Sequence, residues 1–119
     1  MTREEILAMK PWQIDRHVHE ILFDGEDLSE FEYKGNGSYV KVTDTSVIWR
    51  DVPNYSTNLS AAWEVFEKFG YHAFIETNHG GGYIASVNCI AAFAITAPEA
   101  ICKAALIAVL DPINLPGDF

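Results

Sequence analysis

The sequence predicts an α+β fold with a mostly antiparallel sheet, and two observations predict it. Segments whose apolar residues recur every three or four positions stand at both ends and in the middle of the chain, as on one face of a helix. Shorter apolar segments lie between them, separated by Gly- and Asn-containing turns that are typical of hairpins. We expect one domain over residues 1–119, since that length supports a single core.

The predicted core unit spans residues 52–110 and runs helix, hairpin, strand, helix. The apolar face of its first helix follows an i, i+3, i+4, i+7, i+10 spacing and comprises Leu59, Ala62, Trp63, Phe66 and Phe69. This face predicts a core position for Trp63. Ser56 or Asn58 can cap the start of the helix, and Gly70 ends it.

Three strands follow this helix in the prediction. Alternating residues predict strands over 71–76 and 83–88, joined by a turn at 78–82. A third, fully apolar strand is expected over 91–95. The tail over 111–119 contains prolines that exclude a regular helix.

The last helix is expected over residues 97–110, with Thr96 and Glu99 as a capping box. Its only charged residues are Glu99 and Lys103, so it is apolar all round. Such a helix is normally covered on more than one side, and this one is too short to span a bilayer. We expect a homo-oligomer formed through this helix; an Ala-rich core helix of the monomer is the alternative.

The amino-terminal half is predicted to contain two helices and a hairpin. Thr2 and Glu5 form a capping box for a helix that runs to Lys10, and Pro11 begins a second helix to about Phe23. An acidic, then Gly-rich segment over 24–38 is interpreted as a surface connection. The hairpin strands are expected over 39–42 and 46–49.

Charge and cysteine content restrict the partners and the compartment. The net charge of −9, with only eight basic residues, argues against DNA or RNA as a partner, because binding to phosphates requires Lys and Arg. Cys89 and Cys102 have no metal or redox spacing, so we interpret them as buried free thiols in a reducing compartment. No secretion signal or membrane-spanning segment is recognisable, and we expect a cytoplasmic protein without membrane contact.

No catalytic, metal-ligand or cofactor motif is present, so no catalytic residue, metal or cofactor is predicted. Aromatic residues in semi-exposed positions are in excess: Trp12, Trp49, Tyr55, Trp63, Tyr71 and Tyr83. Aromatic faces stack on bases or anchor partners, and Arg pairs with phosphate. The candidate ligand-binding residues are Trp49, Arg50, Tyr55, His72 and His79. For Arg50, a surface salt bridge with Asp51 or a Glu is the alternative.

Three stretches resemble the phage ABA sandwich domain family, small phage and prophage proteins of Bacillus-type hosts. They are residues 1–9 with Pro11, residues 55–65, and residues 96–106; the segment 24–51 is unmatched. The family usually has Asp at position 58, Leu where Glu99 and Ala100 stand, and Arg at position 103. The resemblance implies an α-β-α sandwich, with helices on both faces of the sheet. It implies no function and no site residues.

Two function classes follow from the missing catalytic motif and the over-apolar helix. The first is a phage-encoded binding protein that antagonises bacterial anti-phage defence as an oligomeric sponge for a nucleotide-derived signal, such as a cyclic dinucleotide or a cyclic ADP-ribose. The acidic charge counts against an anionic ligand unless several subunits supply basic residues. The second is a protein–protein inhibitor or adaptor that binds a host or phage protein through its acidic surface.

Overall fold

A computed structural model describes residues 1–23, 26–70 and 73–111, and it confirms the α+β fold class. The helices are α1 (Arg3–Leu7), α2 (Pro11–Val18), α3 (Leu59–Glu67) and α4 (Ala97–Leu110), and a π-helical turn, His19–Phe23, continues α2. The strands are β1 (Glu32–Gly35), β2 (Ser38–Val42), β3 (Val47–Asp51), β4 (Ala73–Thr77), β5 (Tyr83–Val87) and β6 (Ile90–Ala94). They form two antiparallel sheets, β1-β2-β3 and β4-β5-β6.

The amino-terminal helices begin where the sequence predicts. The Thr2 hydroxyl accepts the Glu5 N–H at 3.2 Å, which completes the expected capping box. The helix α1 ends at Leu7, before the expected boundary at Lys10. The Gln13 side chain accepts the Lys10 N–H at 2.9 Å, and α2 follows.

Strand β1 was not predicted, and the interpretation of 24–38 as a surface connection is wrong for its last part. Glu32–Gly35 pairs with β2, and the half-buried ring of Tyr33 lies beside that of Tyr39, with ring centroids 5.3 Å apart. The two glycines around Asn36 favour a turn, and for that reason the four-residue strand before the turn was not recognised in the sequence.

Helix α4 is the centre of the core. Every residue from Ala100 to Ile107 is buried, and α4 packs against β5, β6, α1, α2 and α3. The chain's own elements therefore cover the helix on several sides, so its all-round apolar character is explained within one subunit. Homo-oligomerisation through this helix stays a prediction that this apolar character no longer supports.

The expected capping box at the start of α4 is absent, because Thr96 makes no side-chain hydrogen bond to the helix. The Glu99 carboxylate instead pairs with Lys103 one turn later, with Nζ and Oε1 2.9 Å apart. Lys103 is only 8% exposed, so this pair neutralises a charge inside the core.

The two faces of the second sheet differ in burial. Ala85, Val87, Ala92 and Ala94 are buried on the face that packs on α4. In the register of the sheet, Phe74, Ser86 and Ala91 align on the opposite face, as do Glu76, Ile84 and Phe93. Phe74 and Phe93 are exposed there.

Three side chains lie outside the core or the buried face that was predicted to contain them. Helix α3 buries Ala62, Val65 and Phe66, so its buried stripe is rotated away from Leu59 and Trp63, which are 53% and 50% exposed. Cys89 is an exposed free thiol in the two-residue turn between β5 and β6, whereas Cys102 is buried. The expectations for 71–72 and 112–119 lie outside the described residues.

Replacing Glu99 by Gln is expected to destabilise the fold by about 2 kcal/mol, because Lys103 would keep its charge without a partner in the core. This is less than the ~3–5 kcal/mol typical of a fully buried pair, since Glu99 is partly exposed. Urea unfolding followed by circular dichroism measures the change.

The matched control is Lys103→Met, which removes the charge together with its need for a partner. We expect a change within about 1 kcal/mol. Equal destabilisation by Glu99→Gln and Lys103→Met would show that packing, rather than the buried charge, determines the effect.

Candidate functional site

Trp49 and Arg50 lie next to each other on β3, at the surface. Trp49 is 57% exposed, and its indole is accessible for stacking. The Arg50 guanidinium pairs with Glu26, with Nε and Oε1 2.8 Å apart and Nη2 and Oε2 3.4 Å apart. The surface salt bridge considered as the alternative is therefore observed, and an anionic ligand would have to displace Glu26.

Tyr55 is a core residue, since it is only 2% exposed. Its ring stacks on Phe23 with centroids 4.9 Å apart, and its hydroxyl lies 3.2 Å from Nδ1 of His19. The Lys68 ammonium lies 4.8 Å from the centroid of the Phe23 ring. This stack fixes α2 and its π-helical turn against the segment before α3, which indicates a structural role for Tyr55.

The two predicted histidines do not form a described site. His79 is exposed in the turn between β4 and β5, on the other sheet from Trp49 and Arg50. His72 lies outside the described residues, so its proximity to His79 stays a prediction. Within the described ranges, no group of three His, Cys, Asp or Glu side chains is placed to hold a metal ion. None of the helices described is long and apolar enough to cross a membrane.

A concave site lies where α2, the β1–β2 turn and the segment before α3 meet. This α2 cleft has a volume of about 400 Å³. Its walls are Pro11, Trp12, Asp15, Tyr33, Asn36, Gly37, Val52, Pro53, Asn54 and Thr57. The cleft therefore combines an aromatic pair, one carboxylate and several uncharged polar groups.

The Asp15 carboxylate of the α2 cleft is held in a fixed position. It accepts the Ser56 N–H at 2.7 Å, and the Ser56 hydroxyl donates to the Pro11 carbonyl at 3.2 Å. Burial raises the pKa of Asp15, and the hydrogen bonds from Ser56 lower it by less. No ion pair to Asp15 occurs within the described part of the chain.

The aromatic wall of the cleft is a nearly parallel stack of Trp12 on Tyr33, with centroids 4.9 Å apart and an interplanar angle of 8°. Tyr39 supports the stack from beneath, since its hydroxyl donates to the Trp12 carbonyl at 3.3 Å. Burial raises the pKa of Tyr39 to about 12, so this hydroxyl stays protonated and remains a donor at neutral pH.

A second surface, the Trp63 surface, comprises Leu59, Trp63, Glu64, Glu67 and Phe74. Concavities of about 320 Å³ and 430 Å³ share Trp63 and Glu67 as walls. The rings of Trp63 and Phe66 form a T-shaped contact, with centroids 5.6 Å apart, and this contact restrains the indole. Phe74 connects this surface to the outer face of the second sheet.

Sequence reasoning missed both concave surfaces. Trp12 was counted among the semi-exposed aromatic residues but was not assigned to a site, and Trp63 was assigned to the core. Asp15 and Tyr33 gave no signal, since an acidic residue in a helix and a tyrosine in a Gly-rich segment are individually ordinary. Only the fold brings 11–15, 33–37 and 52–57 together.

The comparisons with known proteins place the chain in a family. The phage ABA sandwich domain model matches residues 5–106. A 2.0 Å crystal structure of a phage protein from Bacillus cereus ATCC 14579 is similar, with a TM-score of 0.59 and 31% sequence identity, over 86% of this chain and 89% of that one. No curated protein matches. The chain therefore belongs to the phage ABA sandwich domain family.

Proposed function

We propose that this phage-family protein acts by binding without catalysis, and that its Trp63 surface docks a basic, apolar-faced segment of another protein. The observation that carries the proposal is the exposure of Trp63 and Phe74 together, at 50% and 57%, on two different elements. Large aromatic side chains at the surface are enriched among the residues that dominate binding energy at protein interfaces.

The charge around the Trp63 surface selects the partner. Glu64 and Glu67 border the concavities, and Glu76 stands on the adjoining outer face of the second sheet. None of these three carboxylates forms an ion pair within the described residues. In a chain of net charge −9, they attract a Lys- and Arg-bearing segment and repel a second acidic copy.

Antagonism of bacterial anti-phage defence is the role that we propose for this binding. A protein of 13.3 kDa that occupies the surface of a host protein can block its assembly or its active site without chemistry of its own. Membership of a phage family supports a target encoded by the host or by the phage.

Sequestration of a nucleotide-derived signal is the second candidate. The observation that favours it is Trp49, which presents its indole to solvent beside Arg50. The Arg50–Glu26 pair and the acidic charge oppose an anionic ligand within one subunit. A sponge of this kind therefore requires basic residues from further subunits.

The partner class is tested with a helical Lys/Leu peptide and its Glu/Leu counterpart, by fluorescence anisotropy. We expect the basic peptide to bind and the acidic one not to bind. Trp63→Ala is expected to weaken binding about 30-fold, the effect of losing an interface residue worth ~2 kcal/mol. Added salt weakens the complex, because its charges are at the surface.

Trp49→Ala is the matched control, since it removes a similarly exposed indole from β3 of the first sheet, whereas Trp63 lies on α3. We expect it to change peptide affinity less than twofold. Equal losses in the Trp49→Ala and Trp63→Ala variants would overturn the assignment to the Trp63 surface. Light scattering gives the mass of the protein in solution. If the wild type is an oligomer and Trp63→Ala is a monomer, a second copy of the chain occupies this surface instead.

The sponge candidate is tested by isothermal titration with cyclic dinucleotides and cyclic ADP-ribose isomers. It predicts micromolar binding that Trp49→Ala and Arg50→Gln abolish and Trp63→Ala leaves intact. Absence of micromolar binding to all of these nucleotides would remove this candidate and leave the protein-binding proposal unaffected.

A further inference from the structure

The α2 cleft has an unusual charge pattern for a concave site. Asp15 is the only carboxylate among its lining residues, and no Lys, Arg or His contributes to its described walls. The nearest basic residue in sequence, Arg16, pairs with Glu20 one turn further along, at 3.2 Å. A half-buried carboxylate without a counter-ion favours binding of a cation at that position.

The orientation of Asp15 is set before any ligand arrives. The Ser56 N–H engages the carboxylate oxygen Oδ1 at 2.7 Å, and the Ser56 side chain also interacts with the carboxylate. A carboxylate has about four acceptor positions, so a donor that enters the cleft can bind beside these Ser56 contacts. Such a donor also compensates the desolvation that Asp15 already bears.

Trp12 and Tyr33 stack on each other, so a ligand in the cleft can meet only the outer face or the edges of this stack. A guanidinium is planar and stacks on aromatic faces, whereas an ammonium is a compact, strongly hydrated charge. The side chains of Asn36, Asn54 and Thr57 add oxygen acceptors around the same space, and a guanidinium carries five N–H donors. These features favour a guanidinium over an ammonium.

The floor of the cleft is built by a close backbone approach. The Gly37 carbonyl accepts the Val52 N–H at 2.8 Å, and a Cβ on Gly37 would lie 2.3 Å from the Val52 carbonyl oxygen. Asn36, next to it, holds a positive φ of 52°. A Gly-Asn-Gly turn accommodates this conformation, since Asn and Gly adopt positive φ more readily than other residues.

We propose that the α2 cleft binds a guanidinium group, which pairs with Asp15 and stacks on the Trp12–Tyr33 wall. The volume of about 400 Å³ is within the range of ligand sites and accommodates the group with its alkyl stem. A free guanidine and an arginine side chain of a protein share this chemistry. The proposal is independent of the Trp63 surface.

The experiment follows the Trp12 indole N–H in ¹H–¹⁵N spectra, assigned by its loss in Trp12→Phe. N-propylguanidine represents a free guanidine, and an Ac-Gly-Arg-Gly-amide peptide represents an arginine side chain; each carries one positive charge. The matched control peptide contains citrulline, which has the same shape without the charge. We expect saturable shifts with a Kd of about 1 mM for the tighter of the two cations. Tighter binding of N-propylguanidine indicates a metabolite, and tighter peptide binding indicates a protein partner.

Asp15→Asn is expected to weaken the cation about tenfold, the effect of losing one charge-assisted hydrogen bond. Asp44→Asn removes an exposed carboxylate from the β2–β3 turn and controls for net charge. Trp63→Ala is expected to bind as the wild type does, which separates this test from that of the proposed function. The proposal would be overturned if the wild type bound the arginine and citrulline peptides with equal affinity. It would also be overturned if the Asp15→Asn and Asp44→Asn variants bound the cation with equal affinity.

The folding of Asp15→Asn is checked by its pH dependence. Because burial raises the pKa of Asp15 in the folded chain, its charged form lowers stability above that pKa, and the penalty vanishes as the pH falls. The variant should therefore gain on the wild type as the pH rises from the ordinary carboxyl pKa of 3.8 through the raised pKa of Asp15, and it should keep that gain and remain folded at pH 7. Tyr33→Leu keeps Asp15 and removes half of the aromatic wall, so it should also weaken binding of the cation. Unchanged binding in this variant would count against stacking.

Discussion

The burial of α4 is the constraint on which the rest of the structure depends. Its residues from Ala100 to Ile107 have almost no contact with solvent, and small side chains let β5 and β6 approach the helix closely. The facing strands supply Ala85, Ala92 and Ala94, so the interface between the helix and the sheet consists of small side chains and tolerates little added volume. With α1, α2 and α3 closing the other sides, one helix connects both halves of the chain.

A consequence of this arrangement is that one face of the second sheet has no role in the core. The sheet uses its alanine-rich face for α4 and leaves Phe74 and Phe93 on the other. Phe74 and Phe93 together expose aromatic surface that the monomer does not bury, and such surface promotes association. Its presence in an acidic chain therefore favours a binding role for that face, and the Trp63 surface continues it.

The sequence predicted those elements whose pattern is local. The boundaries of α4, and those of β5 and β6 to within one residue, follow from apolar runs between strong turns. Trp63 was misplaced because two overlapping stripes on α3 fit the same period, and only the tertiary contacts select the one through Val65. The α2 cleft could not be predicted from local patterns, since its walls come from three segments that are distant in sequence.

The two concave surfaces make different demands on the same acidic chain. Around Trp63, carboxylates in water act over distance and would steer the proposed basic partner, and salt would screen them. In the α2 cleft, one desolvated carboxylate acts at contact, where orientation by Ser56 and the aromatic wall determines what fits. The net charge of −9 therefore favours cationic groups at both surfaces, and geometry rather than charge distinguishes their ligands.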